Sequence, residues 1–258
     1  MQYVDREPYY YLDGLIKILL LDDDPGVAHM LSELFRPFRL FRLEHVTSSF
    51  QGVQKMRTPD RVHLAVLDLG LKDMKNDEFY LLKKFSRRIA FIILTGNDSA
   101  LKGFNAHKYG AKFLFEKGAL FDRDAFIDAV ITTAFYNIIN PAYGKMDDTL
   151  SRSTDILFEK SPKFVGQWAQ AMGLTDRALR NMWSKNLGAN TKIILSIYHI
   201  LDSAFRYYRQ FFQGRIGSDH VALVNSEGYI YLEEFFHTHK SSIVDYLAYG
   251  DIASLMDD

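Results

Sequence analysis

Asp22, Asp23 and Asp24 stand in a row at the end of one apolar run, and Asp68 closes another. Carboxylates brought together repel one another unless a cation sits among them, and hard oxygen donors that leave positions for water suit Mg²⁺. Thr95 and Lys117 close two further apolar runs, so a hydroxyl and an ammonium accompany the acids. Phosphoryl transfer asks a protein mostly for positioning and charge neutralisation, and a carboxylate is a competent nucleophile for it. Acids for a cation, a carboxylate to be modified, and a hydroxyl and an ammonium for the phosphoryl oxygens make up a plausible set for that chemistry.

These residues meet only if the chain delivers them to one edge of a fold. From residue 16 to about 139, short apolar runs alternate with amphipathic stretches, the pattern of strands and helices around a parallel sheet. The runs are Ile16 to Leu21, Leu40 to Val46, Leu64 to Leu69, Ala90 to Leu94 and Lys112 to Phe115. Helices are predicted to open near Pro25, Ser48, Asp77, Asp98 and Asp122, several of them at a Ser, Asp or Pro suited to a helix start. The predicted class is α/β, with a five-stranded doubly wound parallel sheet. In such sheets ligands bind at the carboxyl ends of the strands.

The segments LLLDDDP, VLDLGL, ILTG and FLFEKG, in this order, resemble the receiver domain of two-component response regulators, a flavodoxin-like fold. The spacing matches too, with 27 residues from Asp68 to Thr95 and 22 from Thr95 to Lys117. The resemblance covers residues 15–139 and implies that a sensor histidine kinase phosphorylates Asp68. It further implies that Asp22, Asp23, Asp68 and the Gly70 carbonyl hold Mg²⁺, and that Thr95 and Lys117 bind the phosphoryl oxygens. No enzymatic role beyond the aspartyl-phosphate cycle is expected. Four positions depart from the family pattern: Lys72 replaces a usual Pro, Asn76 a usual Gly, Gly118 the Pro after the lysine, and Leu114 the switch aromatic. Without that Pro, Lys117 is expected to be placed differently.

Residues 1–14 read as an N-terminal extension and 140–160 as a linker with a short helix around Asp155 to Glu159. Beyond it, Phe164, Val165, Trp168, Ala169 and Met172 recur at helical spacing until Gly173 breaks the run. Thr175 is suited to cap a second helix carrying Ala178, Leu179, Met182 and Trp183 on one face. A long helix over Thr191–Phe212 follows, with a seam of Ile194, Ile197, Leu201, Ala204, Tyr208 and Phe211, suited either to a dimer partner or to its own domain. The stretch FVGQWAQAMGLTDRALRNMWSKNLGANTKII resembles one helix-turn-helix unit of the AraC type, on Ala169, Gly173, Thr175, Leu179, Trp183 and Gly188. Residues 161–213 are thus expected to be a mostly α-helical output domain that binds double-stranded DNA. Arg177, Arg180, Asn181, Ser184 and Lys185 fall on the outer face, where a recognition helix meets the major groove. That family carries two such units; a single one implies a homodimer. The alternative is a helical scaffold with a polar face, in a protein that switches binding to a protein partner.

The formal net charge of −1 conceals an asymmetry. Residues 160–215 hold nine Lys or Arg against two Asp, a charge of +7, as phosphate contact requires. Residues 216–258 hold one Lys against eight acids, a charge of −7, so the segment 214–258 is expected either to restrain the basic module or to be a solvated or dimer element. Within it, Val221 to Val224 and Tyr229 to Leu232 suggest a hairpin and Ile243 to Leu255 a helix. His237 and His239 lie near Glu233 and Glu234, where scattered exposed side chains are favoured over a metal site. The absence of cysteine excludes thiolate chemistry and agrees with a reducing compartment. No apolar stretch approaches the ~20 residues of a membrane helix, and the start MQYVDREPYYY lacks a basic secretory opening, so a cytoplasmic protein is expected.

Overall fold

Each of the five apolar runs is a strand in the computed structural model, which describes residues 12–58, 61–74, 77–96, 100–118, 121–139 and 148–212. The strands are β1 (Ile16–Leu21), β2 (Phe41–Val46), β3 (Leu64–Leu67), β4 (Ala90–Thr95) and β5 (Ala111–Glu116). They form one parallel sheet in the order β2-β1-β3-β4-β5. The three inner strands are buried along their whole length, as a sheet covered by helices on both faces demands. Lys17 is the one charged side chain in them, and its ammonium reaches Glu44 on β2 at 3.3 Å. The edge strands β2 and β5 expose part of their side chains.

The covering helices are α1 (Pro25–Phe35), α2 (Ser49–Arg57), α3 (Tyr80–Phe85), α4 (Ala100–Lys108) and α5 (Arg123–Ile139). Leu19, Leu21, Ala65, Leu67, Phe91 and Ile93 point to one face, where Met56 of α2, Leu81 and Phe85 of α3 and Ala106 of α4 join them in a single core. On the other face α5 packs against β3, β4 and β5, and Phe126 of α5 stacks on Phe35 of α1 at 6.2 Å. The sheet is therefore doubly wound. Its strand order reverses between β1 and β3, which places the switch point at their carboxyl ends.

The chain divides into two compact units, residues 13–145 and a second comprising 1–12 and 146–258. The described part of the second is helical: α6 (Asp148–Lys160), α7 (Val165–Ala171), α8 (Asp176–Leu187) and α9 (Thr191–Phe212). The short helix expected around Asp155 in a linker starts already at Asp148 and belongs to this unit. Its inner side is Leu150, Ser153, Thr154, Ile156 and Leu157, all buried. Ser153 is what that side is built around: Trp168 Nε1 donates to its carbonyl at 3.0 Å, and Trp183 Nε1 donates to its hydroxyl at 3.0 Å. The two indoles meet edge to face at 5.2 Å. The α9 seam, from Ile194 through Ile197, Leu201 and Ala204 to Tyr208, is buried within the chain, and α9 packs against α7 and α8. Among the described residues no helix is long and apolar enough to cross a membrane.

Gly173, in a left-handed conformation at φ +69°, makes the turn between α7 and α8, and Thr175 caps α8 by accepting from the Ala178 N–H at 3.2 Å. Thr175→Ala is expected to cost about 1 kcal/mol. Both tryptophans of the chain, Trp168 and Trp183, lie in this unit, so a urea titration followed by indole fluorescence reads that loss directly. The residues before Leu12, Asn76, the side chain of Phe211, and the whole C-terminal segment with its expected hairpin, helix, acidic charge and His237 and His239 fall outside the described residues.

Candidate functional site

Strand register brings the acids together. Leu21 of β1 pairs with Leu67 of β3, so Asp22 and Asp68, each one residue further on, leave the sheet side by side. The Asp68 N–H donates to the Leu21 carbonyl at 2.9 Å and holds that register past the strand ends. Asp22, Asp23 and Asp68 each present a carboxylate oxygen within 4.8 Å of the others. Asp24 is not part of this cluster. Its carboxylate caps α1 by accepting from the Gly26 N–H at 2.8 Å.

The same register delivers the lysine. Thr95 at the end of β4 pairs with Glu116 of β5, and the Lys117 N–H donates to the Thr95 carbonyl at 2.8 Å. Lys117 Nζ then bridges two acids, 2.7 Å from Asp22 Oδ2 and 2.8 Å from Asp68 Oδ2. Gly118 takes φ +121°, and the described residues contain no cis peptide. Without the Pro, Lys117 still reaches both acids, and the free φ of glycine lets the chain turn away after it. Thr95 itself is buried at this edge. Leu114, in place of the switch aromatic, packs on the core under α4, while Phe115 faces the opposite way against Phe126 at 5.1 Å.

Each charged group is tuned by its neighbours. Asp22 is fully buried, and this burial pushes its carboxyl above the ordinary range even though Lys117 and the Asp24 N–H pull it down. Burial by itself would lower the Lys117 ammonium, but Asp22 and Asp68 together outweigh it and hold the lysine charged. Lys72 Nζ sits 2.7 Å from Asp23 Oδ2 and keeps that carboxyl below the ordinary range. Three carboxylates thus face two ammoniums, which leaves one negative charge in excess. An all-oxygen donor set with surplus negative charge fits a hard divalent cation such as Mg²⁺. The Gly70 N–H donates to Asp68 Oδ1 at 2.9 Å, so the residue expected to lend its carbonyl also orients the Asp68 carboxylate. A Cβ at position 70 would come within 3.2 Å of Asp68 Oδ2, and glycine keeps that carboxylate uncrowded.

Comparison with solved structures finds response regulator receiver proteins along the N-terminal half of the chain. One from Methanospirillum hungatei is 20% identical, covering 46% of this chain and 93% of its own, with a TM-score of 0.41. A Francisella receiver domain is 22% identical, covering 46% and 96%, with a TM-score of 0.40. A Burkholderia pseudomallei response regulator, solved with a phosphorylated aspartic acid, calcium ion and citrate, is 19% identical, covering 64% and 96%, with a TM-score of 0.39. No family model and no curated protein matches the chain.

In the helical unit the residues expected to fix the turn are where packing needs them: Ala169, Leu179 and Trp183 are fully buried, and Gly188 ends α8 in a left-handed conformation at φ +65°. Arg177, Arg180, Asn181, Ser184 and Lys185 are all exposed along α8. Two further cations join them. Lys163 before α7 and Lys192 at the start of α9 line, with Arg180, a groove of about 380 Å³ that also includes Phe164, Asp176 and His199. None of the three cations is paired with an acid among the described residues. Burial pushes His199 below the ordinary imidazole range, and its Nε2 donates to the Pro162 carbonyl at 3.0 Å. Lys163 and Lys192 are nearly thirty residues apart in sequence, which is why no local spacing identifies them.

Proposed function

We propose that this chain is a response regulator in which phosphorylation of Asp68 controls DNA binding by the helical unit, in a cytoplasmic homodimer. The observation that carries the reading is the convergence of Asp22, Asp23, Asp68 and Lys117 at the carboxyl edge of the sheet. One Asp68 oxygen attacks the phosphorus of a phosphohistidine on the sensor kinase; the P–O bond forms as the P–N bond breaks, with its electron pair leaving on the imidazole. Gly70 N–H and Lys117 orient the Asp68 carboxylate for that attack. Lys117 and the Thr95 hydroxyl then bind the transferred phosphoryl oxygens. Asp22, Asp23, Asp68 and the Gly70 carbonyl would hold Mg²⁺, which when bound would supply neutralising charge for the phosphoryl group. No other enzymatic activity is assigned.

The output is read on double-stranded DNA, with α8 in the major groove and Arg177, Arg180, Asn181, Ser184 and Lys185 facing it. Lys163 and Lys192, which pair with no acid among the described residues, support this, since they line one groove with Arg180 of α8 and would add phosphate contacts beside it. In a gel shift at graded salt, Arg180→Ala with Lys185→Ala is expected to weaken binding strongly and to reduce the salt slope by about 2. Leu101 and Phe104, exposed on α4, favour a second reading in which the switch output is a protein partner. A wild-type chain with no DNA affinity even at low salt selects that second reading.

A further inference from the structure

Lys117 touches Asp22 and Asp68 but not Asp23, and the carboxylate it leaves over is taken by Lys72. We propose that Lys72 is a built-in counter-ion of the acidic pocket, competing with the divalent cation for Asp23 and so setting the metal affinity of the site. This rests on the reading of the pocket as a Mg²⁺ site.

The position of Lys72 is prepared by its own segment. A single 3₁₀ turn, Lys72–Met74, follows β3, with Leu71 and Met74 both buried in the core. Between them Asp73 Oδ2 accepts from the Ser49 N–H and the Ser49 hydroxyl, both at 2.8 Å. The start of α2 would otherwise leave that N–H without a helical partner, so the bond ties the turn to a second element. Residues 71, 73 and 74 are thus anchored on either side of Lys72 and place its backbone beside Asp23. Its side chain, by contrast, is 82% exposed while that of Asp23 is 22% exposed, so the ammonium approaches from solvent and can swing back into it. Lys117 is enclosed and bridges two acids; Lys72 is a detachable lid charge on the third.

A cation that takes Asp23 must therefore displace one ammonium that is free to leave. An exposed ion pair is a weak competitor, and the expected effect is correspondingly a tuning of affinity rather than a block. It should also fade as salt screens the pair.

The test is calorimetric titration of the full chain with MgCl₂. Lys72→Met is expected to bind Mg²⁺ about fivefold tighter than wild type. Lys72→Arg keeps a cation over Asp23 and should stay near wild type, and the gain from Lys72→Met should vanish in an Asp23→Asn background. Unchanged or weaker binding in Lys72→Met, or a gain that persists without Asp23, overturns the proposal while leaving the metal site standing. The underlying reading has its own control: Asp22→Asn and Asp68→Asn should abolish Mg²⁺ binding. If both bind like wild type, the cation is elsewhere and the role of Lys72 falls with the site.

Discussion

Incubated with acetyl phosphate and Mg²⁺, the full chain is expected to take up phosphoryl groups, and Asp68→Asn to take up none. The substitution exchanges one oxygen for an NH₂ of nearly the same size, so it removes the nucleophile without reshaping the pocket. The bond from Lys117 to Asp22 at 2.7 Å survives it and keeps β5 tied to β1 at this edge. A folded but inert Asp68→Asn protein therefore speaks to chemistry rather than to collapse. Asp24→Asn is the informative companion. Asp24 stands two residues from Asp22 but serves as the cap of α1, a task asparagine performs about as well. That variant is expected to label like wild type, which separates the roles of neighbouring aspartates that composition cannot distinguish.

Trp183→Ala should destabilise the helical unit by about 3–5 kcal/mol, the usual cost of deleting a large buried aromatic. Trp183 is fully buried, packs on Trp168 and donates to the Ser153 hydroxyl, so its loss opens a cavity and strands a polar group together. Trp183→Phe fills most of the space yet cannot donate, and is expected to cost about 1–3 kcal/mol, the usual penalty for an unsatisfied buried hydroxyl. Urea unfolding followed by Trp168 fluorescence measures both. A loss under 1 kcal/mol for the alanine variant would mean that α6, α7 and α8 do not share the core described for them.

The inner strands were legible because burial on both faces leaves only apolar residues at β1, β3 and β4, a pattern that needs no partner to be read. Helix starts were legible where a cap marks them, as at Ser48 and Asp122, whose side chains accept from Gln51 N–H and Ala125 N–H. They slipped where the capping residue serves a preceding turn: Asp77 accepts from Phe79 N–H, and α3 begins only at Tyr80. Helix α6 was mostly hidden because the residues at the middle of its inner side are Ser153 and Thr154. The partners of Ser153 are indoles 15 and 30 residues away, and the Thr154 hydroxyl turns back to the Leu150 carbonyl of its own helix. The acidic pocket was readable as an ordered set, since the parallel sheet sends every strand end to one edge. The pairing of Lys72 with Asp23 was not, because it bridges 49 positions and depends on where a 3₁₀ turn sits after β3.

The central claim is that Asp68 and no other aspartate carries the phosphoryl group. Borohydride reduces an acyl phosphate to the alcohol, so a phosphorylated aspartate becomes homoserine and is located by mass spectrometry of the digested chain. After treatment of the wild-type protein with acetyl phosphate and Mg²⁺, homoserine is expected at position 68 alone. Homoserine at Asp22 or Asp23 instead, or none anywhere, would contradict the account.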